Sequence, residues 1–307
     1  MKLLKRFWRR RQRPPGKIQF FVVGTGRCGT TLLRDVLRLH PEVYVPASES
    51  HWIPYQHEVC GSQPHAPTVH AGLVERFSFP NGELKADVMA ADIGRTRAEL
   101  FAAAGAALAR ETATVVEWND ALYSVLGAAR GRSVLGDKTP CYCLHMPLLQ
   151  QLWPDAKFLH IIRDGRDVAL SMSRHTGFQR MVSLQSASWG PLALDRGHAV
   201  SDRLGRSPSL EDYLGLWAVR LRRALDDAPR LRPGSYLEVR YEALIEDPGA
   251  ETRRLARFLD VSRPPDWLRQ VAAMMNRGNT NKIGDPALWR ALTAASRETL
   301  AELDYLT

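Results

Sequence analysis

The sequence predicts an α/β fold, a mostly parallel sheet flanked by helices in three layers. Three observations carry that prediction. The run "IQFFVV" (residues 18–23) is continuous and β-rich, as expected of a strand buried on both faces, and "KFLHII" (157–162) reads as another strand. Each is followed by a turn rich in Gly, Asp or Arg and then by a helical pattern, the order that makes successive strands parallel. A chain of 307 residues with 45% hydrophobic content can bury a sizeable core.

The elements follow in order. After the strand 18–23, "TTLLRDVLRLHP" reads as a helix with Leu32, Leu33, Val36 and Leu37 on one side, closed by Pro41. "VYV" at 43–45 is a short second strand. Residues 95–110, "RTRAELFAAAGAALAR", form an alanine-rich helix, and "TVVEW" after them is β-branched enough to be extended. "SVL" leads into "GDKTP" and a further helix before the strand 157–162. The helix 209–225, the strand 236–240 and the helix 251–259 repeat the alternation. Residues 56–82 and 176–208, rich in Gly, Pro, Ser and His, read as long loops over a site.

Charge is unevenly placed. Residues 1–13 carry Lys2, Lys5, Arg6, Arg9, Arg10, Arg11 and Arg13 and no acid, seven of the net +9. The rest of the chain is near neutral, which excludes a nucleic-acid-binding surface by charge. Two units are therefore expected, a basic, disordered arm (1–17) and one folded domain (18–307). The arm reads as a solvated tail. The alternative is peripheral contact with an anionic membrane surface, with Leu3, Leu4, Phe7 and Trp8 as its apolar part. No apolar stretch is long enough for a signal peptide or membrane span, so the expected location is cytoplasmic, or peripheral at a membrane. Four cysteines without a secretory signal do not suggest disulfides. Cys141-x-Cys143-x-His145 follows Pro140 at a helix start, where 141 and 145 share a face and 143 points away. Buried thiols are expected there, and no metal site.

The loop "GTGRCGTT" (24–31) lies between the first strand and the first helix. Gly24 and Gly29 have the G-x-x-x-x-G spacing of a P-loop, but Thr30 stands where its lysine belongs. Backbone N–H groups and a helix N-terminus can still hold phosphate oxygens. Thr30 and Thr31 add hydroxyls and Arg27 a cation. The fold expected is thus P-loop NTPase-like, with a loop suited to a short anhydride rather than a magnesium triphosphate. "KFLHIIRDGRDVALSM" repeats strand, turn and helix, with Arg163 at the strand end and Ser171 eight residues on. Parallel strands would aim both turns into one crevice, where a nucleoside phosphorylated at both ends would fill both. The plainer reading of Arg163 is an ion pair with Asp164 or Asp167.

These segments, with "HPEVYVPASESHW", "GDKTP" and "RYEALIEDP", resemble in order those of the sulfotransferases that use 3′-phosphoadenosine 5′-phosphosulfate (PAPS). The resemblance implies that Arg27, Cys28, Gly29, Thr30 and Thr31 hold the 5′-phosphosulfate, with Cys28 replacing a common serine or glycine. It implies that Arg163 and Ser171 hold the 3′-phosphate, with Tyr241 near the nucleotide and Lys282 in a loop over it. Glu49 matches the glutamate of the glycosaminoglycan branch and His51 its histidine. The cytosolic branch uses a histidine base, so His51 is the runner-up to Glu49.

Removing a hydroxyl proton needs a base, and charge building on a leaving phosphate needs cations. Glu49, just beyond the second strand, is the expected base. Lys138 in "GDKTP" is a cation of choice, because only seven lysines stand among 42 basic residues and an ammonium can donate its proton where a guanidinium cannot. Its plainer reading is an exposed pair with Asp137. The expected function is metal-independent, in-line transfer of a sulfuryl group from PAPS to a hydroxyl of a carbohydrate, glycolipid or small molecule. A P-loop kinase of small molecules is the alternative, with Asp164 its only candidate magnesium ligand.

Overall fold

The computed structural model describes residues 16–79, 81–183, 207–275 and 289–306. The basic arm 1–13, Lys282 and most of the 176–208 segment lie outside them.

Five strands form one sheet in the order β2-β3-β1-β4-β5, every neighbouring pair parallel. They are β1 (Ile18–Val23), β2 (Val43–Tyr44), β3 (Val134–Lys138), β4 (Lys157–Ile162) and β5 (Tyr236–Arg240). β1 is central and apolar on both faces because both are covered. Phe20 and Val22 enter one core while Phe21 and Val23 enter the other, the two-residue period of a strand. All five strands end at the same edge, so the residues that follow them gather there.

Helix α1 (Thr30–Arg38) follows β1 and buries Leu33, Val36 and Leu37. The connection from β2 to β3 carries α2 (Ile53–Cys60), α3 (Pro67–Val74), α4 (Lys85–Ala91), α5 (Arg97–Ala106) and α6 (Val115–Ala129). A 3-10 turn (Pro140–Leu144) and α7 (Met146–Leu152) lead to β4, and α8 (Gly165–Ser173) and α9 (Thr176–Ser183) follow it. The remaining helices are α10 (Leu210–Asp227), α11 (Tyr241–Glu246), α12 (Pro248–Leu259), α13 (Pro265–Met275) and α14 (Ala294–Glu302). Side chains of α2 to α7 join the core on the Phe21 face, and α1 and α8 to α14 join that on the Phe20 face. The three layers are those expected.

Three local expectations are corrected. "TVVEW" is not extended but opens α6. Thr114 Oγ1 accepts from Glu117 N (3.3 Å) and the Glu117 carboxylate accepts from Thr114 N (2.8 Å), a capping box that outweighs β-branching. Residues 56–82 are not one long loop, since α2 and α3 occupy much of the segment, α3 starting on Pro67 as its first residue. The helix expected from residue 141 is a tight 3-10 turn that breaks at His145, and α7 restarts with Pro147 in its first turn. The tighter turn buries Cys143 as well as Cys141, so both are core thiols.

Candidate active site

The loop after β1 is shaped by glycine. Gly26 (φ +85°) and Gly29 (φ +102°) take left-handed conformations that favour a residue without Cβ, and Arg27 (φ +56°) is held between them. A Cβ on Gly29 would lie 2.4 Å from the Tyr241 ring. Gly24 N–H donates to Pro140 O (3.0 Å), and the fully buried Arg220 donates to Thr25 O (2.7 Å), so the loop is pinned from two sides. Gly29 caps α1 without a side-chain oxygen, which leaves the first-turn N–H groups of α1 to an outside acceptor. Thr30 is buried and Thr31 exposed in that turn. Cys28 is buried in the core, and burial raises its thiol above the usual range.

Arg27 reaches the second turn. Its Nε donates to Ser171 Oγ (3.1 Å) on α8, which brings the loop after β1 and the turn after β4 together. Arg163, the residue after β4, lies 4.2 Å over the ring of Tyr241, itself the residue after β5. Arg163 donates to Asp167 Oδ2 (2.8 Å), the ion pair of the plainer reading, yet its Nε is buried without a partner among the described residues. Asp164 is spent elsewhere. It caps α8 by accepting from Arg166 N (2.8 Å) and pairs with the Arg166 guanidinium (2.6 Å), almost wholly buried.

Beyond β2 the chain turns sharply to present Glu49. Ser50 N–H donates to Thr139 Oγ1 (3.0 Å), and the Tyr142 hydroxyl, which accepts from Ile53 N–H (3.1 Å), bonds Ser50 Oγ (2.7 Å). These bonds clamp 50–53 to the exit of β3. His51 takes a left-handed φ of +58°, unusual for a side chain of its size. Lys138, the last residue of β3, donates to Glu49 Oε1 (2.5 Å), and His51 Nε2 lies 2.8 Å from Glu49 Oε2. Lys138 thus pairs with Glu49 rather than Asp137, and it is buried rather than exposed (3% of its side chain). Glu49 keeps 28% of its side chain open.

Electrostatics assign the proton. Burial alone would raise the Glu49 carboxyl, but the Lys138 ammonium and the His51 hydrogen bond hold it well below the usual range. Burial, reinforced by the charge of Lys85, lowers His51 to about 4. A neutral imidazole beside a carboxylate donates from Nε2, so Nδ1 is the acceptor toward Cys141 Sγ at 3.3 Å. His51 is therefore a donor to Glu49.

The structure brings together Arg27, Ser171, Arg163 and Tyr241 on one side and Glu49, His51 and Lys138 on the other, along one sheet edge. Sequence reasoning missed Lys85 and Arg220. The scarcity of lysine that drew attention to Lys138 applies equally to Lys85, but no motif surrounds it. Arg220 lies mid-helix in α10 and carries no local signature.

A parallel sheet with a lysine-free glycine loop and a carboxylate–ammonium pair along one edge defines a P-loop-like fold. The chain belongs to the sulfotransferase family, whose pattern matches residues 19–265. It is 27% identical over 299 residues to a Caenorhabditis briggsae protein named "Putative protein-tyrosine sulfotransferase", covering 92% of this chain and 84% of that one. It is 26% identical over 235 residues to nodulation protein NoeE of Sinorhizobium fredii, covering 76% of this chain and 48% of NoeE, about half that protein's length. The fold is similar to the sulfotransferase domain from the curacin biosynthetic pathway (TM-score 0.61, 20% identity, 96% of this chain and 99% of that one).

Proposed function

We propose that the protein moves a sulfuryl group from PAPS to an acceptor hydroxyl of a carbohydrate, glycolipid or small molecule, in line and without a metal ion, with Glu49 as general base. The observation that carries this reading is the Glu49–Lys138 pair at the strand edge shared with a lysine-free loop.

The residues present suit the donor. The uncapped first turn of α1, Thr30, Thr31 and the main chain of Cys28 and Gly29 would take the 5′ end. Arg163, whose buried Nε lacks a partner among the described residues, would take the 3′-phosphate together with Ser171, with Tyr241 beneath the guanidinium. Bound there, PAPS supplies a sulfuryl group already activated as an anhydride with phosphate.

The side chains of this chain do the rest. Glu49 is ionised at neutral pH and accepts the hydroxyl proton, while His51 orients it from Oε2. Lys138 balances the Glu49 charge before transfer and is freed toward the leaving phosphate once Glu49 is protonated. Arg27 and the loop amides supply positive charge where a kinase uses magnesium. A kinase reading would need Asp164 for the metal, and that carboxylate is consumed by Arg166 and the α8 cap. Carbohydrates, glycolipids and small-molecule alcohols offered with labelled PAPS test the assignment. Label should pass to an acceptor, and EDTA should leave the rate unchanged. No label transfer from PAPS, with magnesium-dependent phosphoryl transfer from ATP that EDTA abolishes, would favour the kinase.

A further inference from the structure

Lys85 is a buried cation to which the catalytic reading gives no task. It opens α4, has 9% of its surface exposed, and donates its backbone N–H to Phe77 O (3.0 Å). Its ammonium lies 4.2 Å from the centre of the Phe79 ring and, among the described residues, makes no hydrogen bond and no ion pair. A buried ammonium is ordinarily paired, because desolvation without a counter-charge is costly. Burial lowers its ammonium below the usual lysine range, and the charges that act on it include those of the transfer site: Glu49 favours its ionisation and Lys138 opposes it. Glu49 already pairs with Lys138, and the nearby Asp137 accepts from the Tyr123 hydroxyl (2.5 Å). Two ammonium groups therefore bear on one carboxylate, that of Glu49, and the surplus charge is on Lys85.

The position of Lys85 indicates which molecule would supply the missing anion. It comes from the β2–β3 connection, which also carries Glu49, and it packs with Phe77 and Phe79. The expected donor residues Arg27, Ser171, Arg163 and Tyr241 come from the ends of β1, β4 and β5 and from α8. We infer that Lys85 binds an anionic group of the acceptor, a carboxylate, sulfate or phosphate, next to the hydroxyl presented to Glu49. This rests on the proposed sulfuryl transfer. The sulfuryl oxygens of PAPS are the other source of negative charge, and the two sources predict different results.

The test uses matched acceptors that differ in charge alone, such as 4-hydroxyphenylacetate and 4-hydroxyphenylacetamide, with sugars bearing or lacking a carboxylate. The parent should favour the charged member about tenfold or more in kcat/KM, through KM, as expected of one charge-assisted contact. In Lys85→Met that ratio should fall toward one, and Lys85→Arg should restore part of it. Calorimetric titration should show the same PAPS-to-PAP affinity ratio in Lys85→Met as in the parent. A charge preference that survives Lys85→Met, or is absent from the parent, would overturn the assignment. A loss of affinity for PAPS but not for PAP would assign Lys85 to the donor instead. Failure of the parent to sulfate any acceptor would count against the transferase reading on which the inference rests.

Discussion

At the scale of single residues, the Glu49 carboxylate lies between an ammonium and an imidazole, and that placement decides which group takes a proton. His51 lowered to about 4 is neutral at physiological pH, but its Nδ1 faces the buried Cys141 thiol and its Nε2 faces Glu49. Neither nitrogen is presented to an incoming hydroxyl. Glu49 is ionised and has open surface, so it is the better candidate for the proposed base. Glu49→Gln keeps the shape and can still bond His51, yet it cannot accept a proton. Turnover should drop on the order of a hundredfold or more, with PAPS affinity nearly unchanged. Steady-state rates with labelled PAPS and calorimetry on the same protein separate the two effects. Full activity in this variant would move the base to His51 or elsewhere.

At the scale of elements, each functional side chain is delivered by the end of a parallel strand or by the first turns after it. β1 was legible because its apolar run is continuous, and the loop after it because its glycine spacing needs no tertiary context, whereas β3, which ends on Asp137 and Lys138, carries no such run. The Arg27–Ser171 contact could only be inferred, since it depends on β1 and β4 being neighbours. At the start of α6, β-branched Val115 and Val116 suggest extended backbone, but the Thr114–Glu117 cap decides it. Lys85 was invisible for a different reason: a turn folds the chain back just before α4 and lays Phe77 and Phe79 against it, and no motif announces that turn. Arg163 tests the β4–α8 element directly. It is both paired with Asp167 and stacked on Tyr241, so a structural role competes with a binding one. A charge-assisted contact to phosphate contributes roughly 1.5–3 kcal/mol. Arg163→Ala should therefore bind PAPS about tenfold to a hundredfold more weakly, and adenosine 5′-phosphosulfate, which lacks the 3′-phosphate, about as well as the parent does. Titration of both nucleotides into both proteins decides it. Equal losses for the two would make Arg163 a structural residue.

At the scale of the whole molecule, the parallel sheet has two chemically opposite ends. Its C-terminal edge holds the Glu49–Lys138 pair, and its N-terminal edge is closed by Asp120 on α6. Asp120 Oδ1 accepts from Ile18 N–H at the start of β1 (2.7 Å) and from the Trp153 indole N–H (2.9 Å), tying the sheet to the helical layer. Burial nevertheless pushes the Asp120 carboxyl up to about 6, the hydrogen bonds only partly opposing it. Folding lowers the Glu49 carboxyl, so the stability it contributes is complete above about pH 4.3, the ordinary glutamate value, and is lost as pH falls through its folded value. Asp120 has the opposite sign. Its folded value lies above the ordinary aspartate value of about 3.9, so its contribution is complete below that pH and is lost as pH rises through about 6. Asp120→Asn keeps an oxygen for both N–H donors and removes the titration. At pH 8 the variant should melt a few degrees above the parent, because a one kcal/mol gain in a domain of this size moves Tm by roughly 2–4 °C. At pH 4.5 the advantage should shrink or vanish, since the parent carboxyl is then protonated in the fold. Thermal unfolding followed by circular dichroism at both values measures it. An advantage of equal size at both pH values would mean that Asp120 does not titrate as its burial requires, and that the hydrogen bonds at the N-terminal edge hold its carboxylate ionised.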